Sequence, residues 1–148
     1  MPDIEAGEAN HVSGSRNMSD EAFLCAMEEG TMPNSEFRHF DHIRLAWIFL
    51  ESMDETHAAQ RITVTLRNFA SKTHSDPSRY HETITRAFMR LVATSRDTIG
   101  SAHSFDEFIA RFPQLLKKDA LEAYYTKETL MSSAARAAFV APDLQPLP

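Results

Sequence analysis

The chain carries one cysteine, four glycines and one tryptophan in 148 residues. A single cysteine excludes an intrachain disulfide and any cysteine-cluster metal site. Two of the four glycines, Gly7 and Gly14, fall in the first 17 residues, and no Asn-Gly or Asp-Gly pair occurs, so there is no β-hairpin signal. No window approaches 18 consecutive apolar residues, which argues against a membrane-spanning helix, and no apolar stretch follows a basic start as a secretory signal would require. A Gly-rich phosphate loop and a Gly-x-Ser-x-Gly elbow are also missing, which removes support for nucleotide-fold and serine-hydrolase chemistry. Positive charge is in deficit: 15 Lys and Arg against 21 Asp and Glu, a net charge of −6. That balance disfavours a broad nucleic-acid surface or an anionic membrane as the main partner. The cytoplasm is the expected compartment.

What the chain does contain is helical periodicity and an excess of histidine. Residues 1–17 have no apolar period and read as a disordered leader. Residues 18–140 read as one all-α domain, a compact bundle of six to seven helices, and 141–148 as an extended proline-rich tail, with Leu144 and Leu147 available to dock it. Ser19, with Asp20 and Glu21 after it, predicts an N-cap for a first helix ending at Gly30. A second helix is expected from Asn34 or Ser35 to about Met53, and a third from Asp54 or Glu55 to Ala70. A fourth should run from about Arg79 to Arg96. Ser104-Phe-Asp-Glu107 is a capping box for a short fifth helix. A sixth is expected from Gln114 to Tyr125 and a last from Ser132 to Val140.

The seven histidines divide when placed on helical wheels at roughly 100° per residue. With Phe37 at zero, the apolar arc of the second helix contains His42 at roughly 140° and His39 at roughly 200°. With Arg79 at zero, His81 falls at roughly 200°, inside the apolar arc of the fourth helix. His57 falls on a solvent face, His74 and His103 in loops, and His11 in the leader. An inward imidazole needs partners for both ring nitrogens. Each of the three is either a core histidine bonded to a carbonyl or a hydroxyl such as Thr85, or one of a convergent set. Three imidazoles with an open position would suit a divalent or redox metal, zinc, iron or copper.

A di-iron carboxylate bundle needs Glu-x-x-His twice plus two further glutamates, and only Glu36-x-x-His39 is present, so that site is disfavoured. An axial haem ligand among the aromatics is a further reading that nothing marks. Without a metal, the cluster could perform general acid–base work with Tyr80, Thr83, Thr85, Tyr124 or Tyr125 as hydrogen-bond partners. Cys25 reads as an inert buried thiol, and Arg79, Arg86 and Arg90 as a solvated basic stripe, with an anionic substrate as the weaker alternative.

The segments Phe37-Arg-His-Phe-Asp-His-Ile-Arg-Leu-Ala-Trp47, Tyr80-His-Glu-Thr-Ile-Thr85, Tyr124-Tyr125 and Ala135 to Pro148 together resemble a family of small bacterial all-helical proteins to which no activity is attached. The resemblance covers residues 35–148. It implies an all-helical domain of this size closed by a proline-rich tail, and it includes His39, His42 and His81.

Two functions follow as expectations. One is a small-molecule enzyme or ligand-binding protein with a histidine-lined pocket between the second and fourth helices. Its metal ligands would be His39, His42 and His81, its catalytic groups His81, Tyr80 and Glu82, and its substrate contacts Trp47, Thr85 and Tyr124. The other is a non-catalytic protein-interaction module whose histidines are structural. A homodimer formed through an apolar helix face is compatible with either.

Overall fold

The structure, a computed structural model, describes residues 14–72, 80–100 and 104–148. The chain is all-α, and no strand occurs among the described residues. Helix α1 spans Asp20–Glu29; Ser19 Oγ accepts from the Ala22 N–H at 3.1 Å, with Asp20 and Glu21 at the positive end of the helix. Gly30 closes α1 in the left-handed conformation at φ 75°. A Cβ at this position would lie 2.7 Å from the Lys72 Cβ. Glycine is therefore required both for the backbone conformation and for the close approach.

Helices α2 (His39–Ser52), α3 (Glu55–Lys72) and α4 (Glu82–Ile99) pack against one another, and α1 lies against α3. Phe23 and Met27 of α1, Ile43 and Phe49 of α2, Ile62 of α3 and Val92 of α4 are sealed in the shared core. Each such side chain contributes about 1.5–3 kcal/mol by burial. No helix among the described residues is long and apolar enough to cross a membrane.

The starts of α2 and α4 differ from the expectation. Asn34–Glu36 form a single 3-10 turn, and α2 begins only at His39. Asp41 Oδ2 accepts from the Arg38 N–H at 2.8 Å, so the acidic side chain closes the first turn. Helix α4 begins at Glu82 rather than near Arg79, with His81 in extended conformation as its N-cap. Residues 1–13, most of the expected leader, lie outside the described residues. Its last four residues are built into the domain: Gly14–Asn17 make a 3-10 turn and Ser15 is fully buried. The Ser15 hydroxyl donates to Asp41 and its carbonyl accepts from Arg44.

Helix α5 (Phe105–Arg111) is capped as expected, Ser104 Oγ accepting from the Glu107 N–H at 3.1 Å. The helix expected from Gln114 to Tyr125 is instead two 3-10 turns, Pro113–Leu116 and Lys118–Ala123, separated by extended Lys117. Each turn buries one leucine, Leu115 and Leu121. That spacing of six fits two separate anchors better than one continuous stripe. Two further short helices follow, α6 (Lys127–Leu130) and α7 (Ser133–Ala137), where one was expected. Thr126 and Ser132 cap them. Helix α7 stops before Val140 because Ala138 turns extended and Thr83 captures the backbone there. The Thr83 hydroxyl donates to the Ala138 carbonyl and accepts from the Val140 N–H.

The tail crosses back over the domain. The Leu144 N–H donates to the Tyr124 carbonyl at 2.9 Å. Asp143 accepts from the Thr126 N–H and from the hydroxyls of Thr126 and Thr129. Leu147 packs against the core, but the Leu144 side chain is 55% exposed, so the tail docks through one leucine and not two.

Candidate functional site

The residues expected to form one site separate into a histidine pair, a capping histidine and a charged cluster. His39 and His42 are together: they lie three apart at the start of α2, with ring centroids 6.1 Å apart and both rings against Phe88 of α4. His39 Nε2–H donates to the Leu115 carbonyl at 2.8 Å. Neither ring nitrogen of His42 has a hydrogen-bond partner among the described residues, and its Nε2 is closed off from solvent. Burial pushes the His42 imidazole down to about 3, with a smaller contribution from His39, so it is neutral near physiological pH. Burial also lowers His39, the Leu115 bond opposes this, and the Lys118 charge lowers it further.

His81 does not join that pair, because it is not on the helix at all. Its Nδ1 accepts from the Ile84 N–H at 3.1 Å and its Nε2–H donates to the Leu130 carbonyl at 2.7 Å. This bonding admits one neutral tautomer and leaves no lone pair for a metal. Burial is the main cause of its lowered pKa, with the Leu130 bond opposing and the Arg136 charge adding. Among the described residues, no three His, Cys, Asp or Glu side chains are grouped so as to hold a metal ion. Of the expected His39, His42 and His81 set, the structure brings His39 and His42 together and places His81 apart as a helix cap.

The expected substrate contacts Thr85, Trp47 and Tyr124 lie apart from the lining of a 790 Å³ cavity between α3, α4 and the C-terminal segment. Thr85 is buried and its hydroxyl donates to the His81 carbonyl at 2.8 Å, a bond back to the preceding turn. Trp47 is 3% exposed and packs against Phe105 and Phe108, with its Nε1–H unpartnered. Tyr124 is half-buried, and its carbonyl carries the tail. Cys25 is exposed rather than buried. A hydrogen bond to Glu29 and that residue's charge push its thiol pKa up, which keeps it protonated and weakly nucleophilic.

Tyr80 and Glu82 do meet, and Glu82 lines this cavity of about 790 Å³ between α3, α4 and the C-terminal segment. The Tyr80 hydroxyl donates to Glu82 Oε1 at 2.7 Å. Arg86 Nε donates to Glu82 Oε2, and Arg67 stands 3.6 Å from Oε1 with its guanidinium 4.9 Å from the Tyr80 ring centre. Burial pushes the Glu82 carboxyl up, but the bonds from Tyr80 and Arg86 and the charges of Arg86 and Arg67 outweigh it, and the net direction is down. Tyr80 is pushed up, first by burial and also by its bond to Glu82 and that residue's charge. Neither group is held near neutrality, so the pair is an ionised carboxylate and a protonated phenol.

Farther along α4, Arg90 bonds Glu55 at 2.5 Å and the Pro148 carbonyl at 2.7 Å. The apolar walls come from Ala59, Met89, Phe139 and Leu147. Arg86 and Arg90 thus line the cavity while their side chains stay 37% and 43% exposed, and Arg79 lies outside the described residues. The Glu82-x-x-x-Arg86 spacing is the sequence signal that marks this pair. Arg67 and the tail wall come from other elements and leave no local signal. Comparison with protein-family profiles, curated proteins and solved structures finds no match to the chain.

Proposed function

We propose that the chain is a small-molecule-binding protein whose cavity between α3, α4 and the tail takes an amphipathic organic anion. The observation that carries this is the 790 Å³ cavity with apolar walls and a buried Glu82 carboxylate held by Tyr80 and Arg86. Ligand sites are concave, mostly apolar and carry a few fixed polar groups, and volumes of about 300–1,000 Å³ are usual. The lining holds three arginines, Arg67, Arg86 and Arg90, against two carboxylates, Glu55 and Glu82. Arg86 spends only its Nε on a partner among the described residues, so its terminal amino groups are donors for an acidic headgroup. Glu82 fixes Arg86 and Tyr80 in place before a ligand arrives, which lowers the ordering cost of binding. The protonation states of Tyr80 and Glu82 favour binding over proton transfer, since neither is poised to exchange a proton near pH 7.

The test is calorimetric titration with 8-anilinonaphthalene-1-sulfonate, an amphipathic organic anion. The expected result is saturable binding of one molecule per chain. Ala59→Trp, which fills the apolar wall, should abolish it, and Arg67→Ala should weaken it about tenfold, the worth of one charge-assisted contact. Unaltered binding in both variants would overturn the proposal.

A further inference from the structure

A second pocket, about 470 Å³, opens at the start of α2 and is lined by Phe37, Arg38, His39, Phe40, His42 and Lys118. We propose that it is a separate binding site for a small organic carboxylate, held by Lys118 and His42 with its apolar part against Phe37.

Three observations carry this. First, the His42 imidazole has no hydrogen-bond partner on either ring nitrogen among the described residues, although Nε2 is buried. A buried polar nitrogen left unbonded is uncommon and calls for an explanation such as a missing ligand. The ring torsion is soft, and turning the ring toward the pocket breaks no protein hydrogen bond to either nitrogen. Second, Lys118 and Arg38 carry positive charge at this pocket and neither forms an ion pair among the described residues. The nearby carboxylate of Asp41 is occupied by the Arg38 N–H and the Ser15 hydroxyl. Two cations beside two neutral imidazoles favour an anion and disfavour a divalent cation, because opposite charges attract most where water is partly excluded. Third, the neutral state of His42 lets it donate one N–H to a carboxylate oxygen without a charge of its own to desolvate, while His39 is fixed by the Leu115 carbonyl. Phe37 and Phe40 give the pocket an apolar edge, which fits an organic carboxylate better than a bare inorganic ion.

The test is benzoate added to the full chain, observed at the ring nitrogens of His42 by long-range proton–nitrogen NMR. The result expected is a saturable shift of the His42 nitrogens, weakened about tenfold by Lys118→Ala, the loss of one charge-assisted contact. Lys118 is exposed, so this variant folds; His42→Phe should abolish the shifts elsewhere in the pocket. Ala59→Trp, which blocks the α3–α4 cavity, should leave the benzoate response intact, which separates this site from that one. No saturable shift at His42, an equal response in Lys118→Ala, or an equal response to inorganic phosphate would each overturn the proposal.

Discussion

His81 Nε2–H donates to the carbonyl of Leu130 at 2.7 Å, joining the start of α4 to the end of α6 across 49 positions of chain. The same ring caps α4 through its Nδ1. One side chain therefore secures a helix terminus and the docking of the C-terminal third. His81→Ala should cost about 2–4 kcal/mol, the sum of a lost N-cap and an unsatisfied buried carbonyl. His81→Asn should restore the cap but not the Leu130 bond and fall between the two. Urea denaturation of the three proteins checks this.

Acid should destabilise the protein well before its carboxylates titrate. The folded pKa values of His39, His42 and His81 all lie below the usual 6.5, that of His42 at about 3. As the pH falls below 6.5 the unfolded chain takes up protons that the folded chain does not. Stability is thus fully present above the unfolded pKa and declines on acidification, by up to about 1.4 kcal/mol per pH unit for each histidine. Glu82 and Asp143 have lowered pKa values, so their stabilisation is present above their ordinary values of 4.5 and 3.8 and is lost only below them. Between pH 6.5 and 5 the slope should belong to the histidines, and His42→Gln should flatten it. Denaturation midpoints across that range decide the matter.

Much of the helical framework is legible in the sequence because its signals are local. Ser19, Gly30 and Ser104 do at their positions what short side chains and glycine do at helix ends. The candidate site is less legible. His81 sits on an apolar arc only if α4 is extended back to Arg79, and three residues of error at a helix start turn a cap into a core ligand. The cavity floor depends on Arg67 meeting Glu82 across two helices, and its wall on the tail returning through Asp143. Neither has a periodicity to read.

Glu82→Gln should lower the Tyr80 pKa, since the carboxylate holds the phenol up by accepting its hydrogen bond and by its charge. It should also cost about 1–2 kcal/mol, a modest figure because Arg86 and Arg67 are half-exposed and regain water. Ultraviolet titration of the tyrosines gives the first quantity and urea denaturation the second.

Trp47 is 3% exposed and packs in the core. Its emission should be blue-shifted and resistant to iodide quenching, and Trp47→Phe should be tolerated because it removes an unpartnered N–H along with some volume. Fluorescence of the native chain, which has no other tryptophan, measures the first directly. Its emission should not respond to benzoate.

Asp143→Ala should release the tail. It removes the acceptor for the Thr126 N–H and for two hydroxyls, and the Leu144 N–H should then exchange with solvent faster while amides in α2 stay protected. Because the tail supplies one wall of the cavity, binding of 8-anilinonaphthalene-1-sulfonate should weaken in the same variant. Hydrogen exchange and calorimetry on one sample test both.

The most direct measurement is a methyl NMR titration with 8-anilinonaphthalene-1-sulfonate, following Met89 and Ala59, whose methyl groups belong to the cavity walls. Binding between α3, α4 and the tail predicts saturable shifts at both methyls and contacts from each to the probe. Shifts confined to methyls elsewhere, such as Met27 in the sealed core, or no saturable shift, would contradict it.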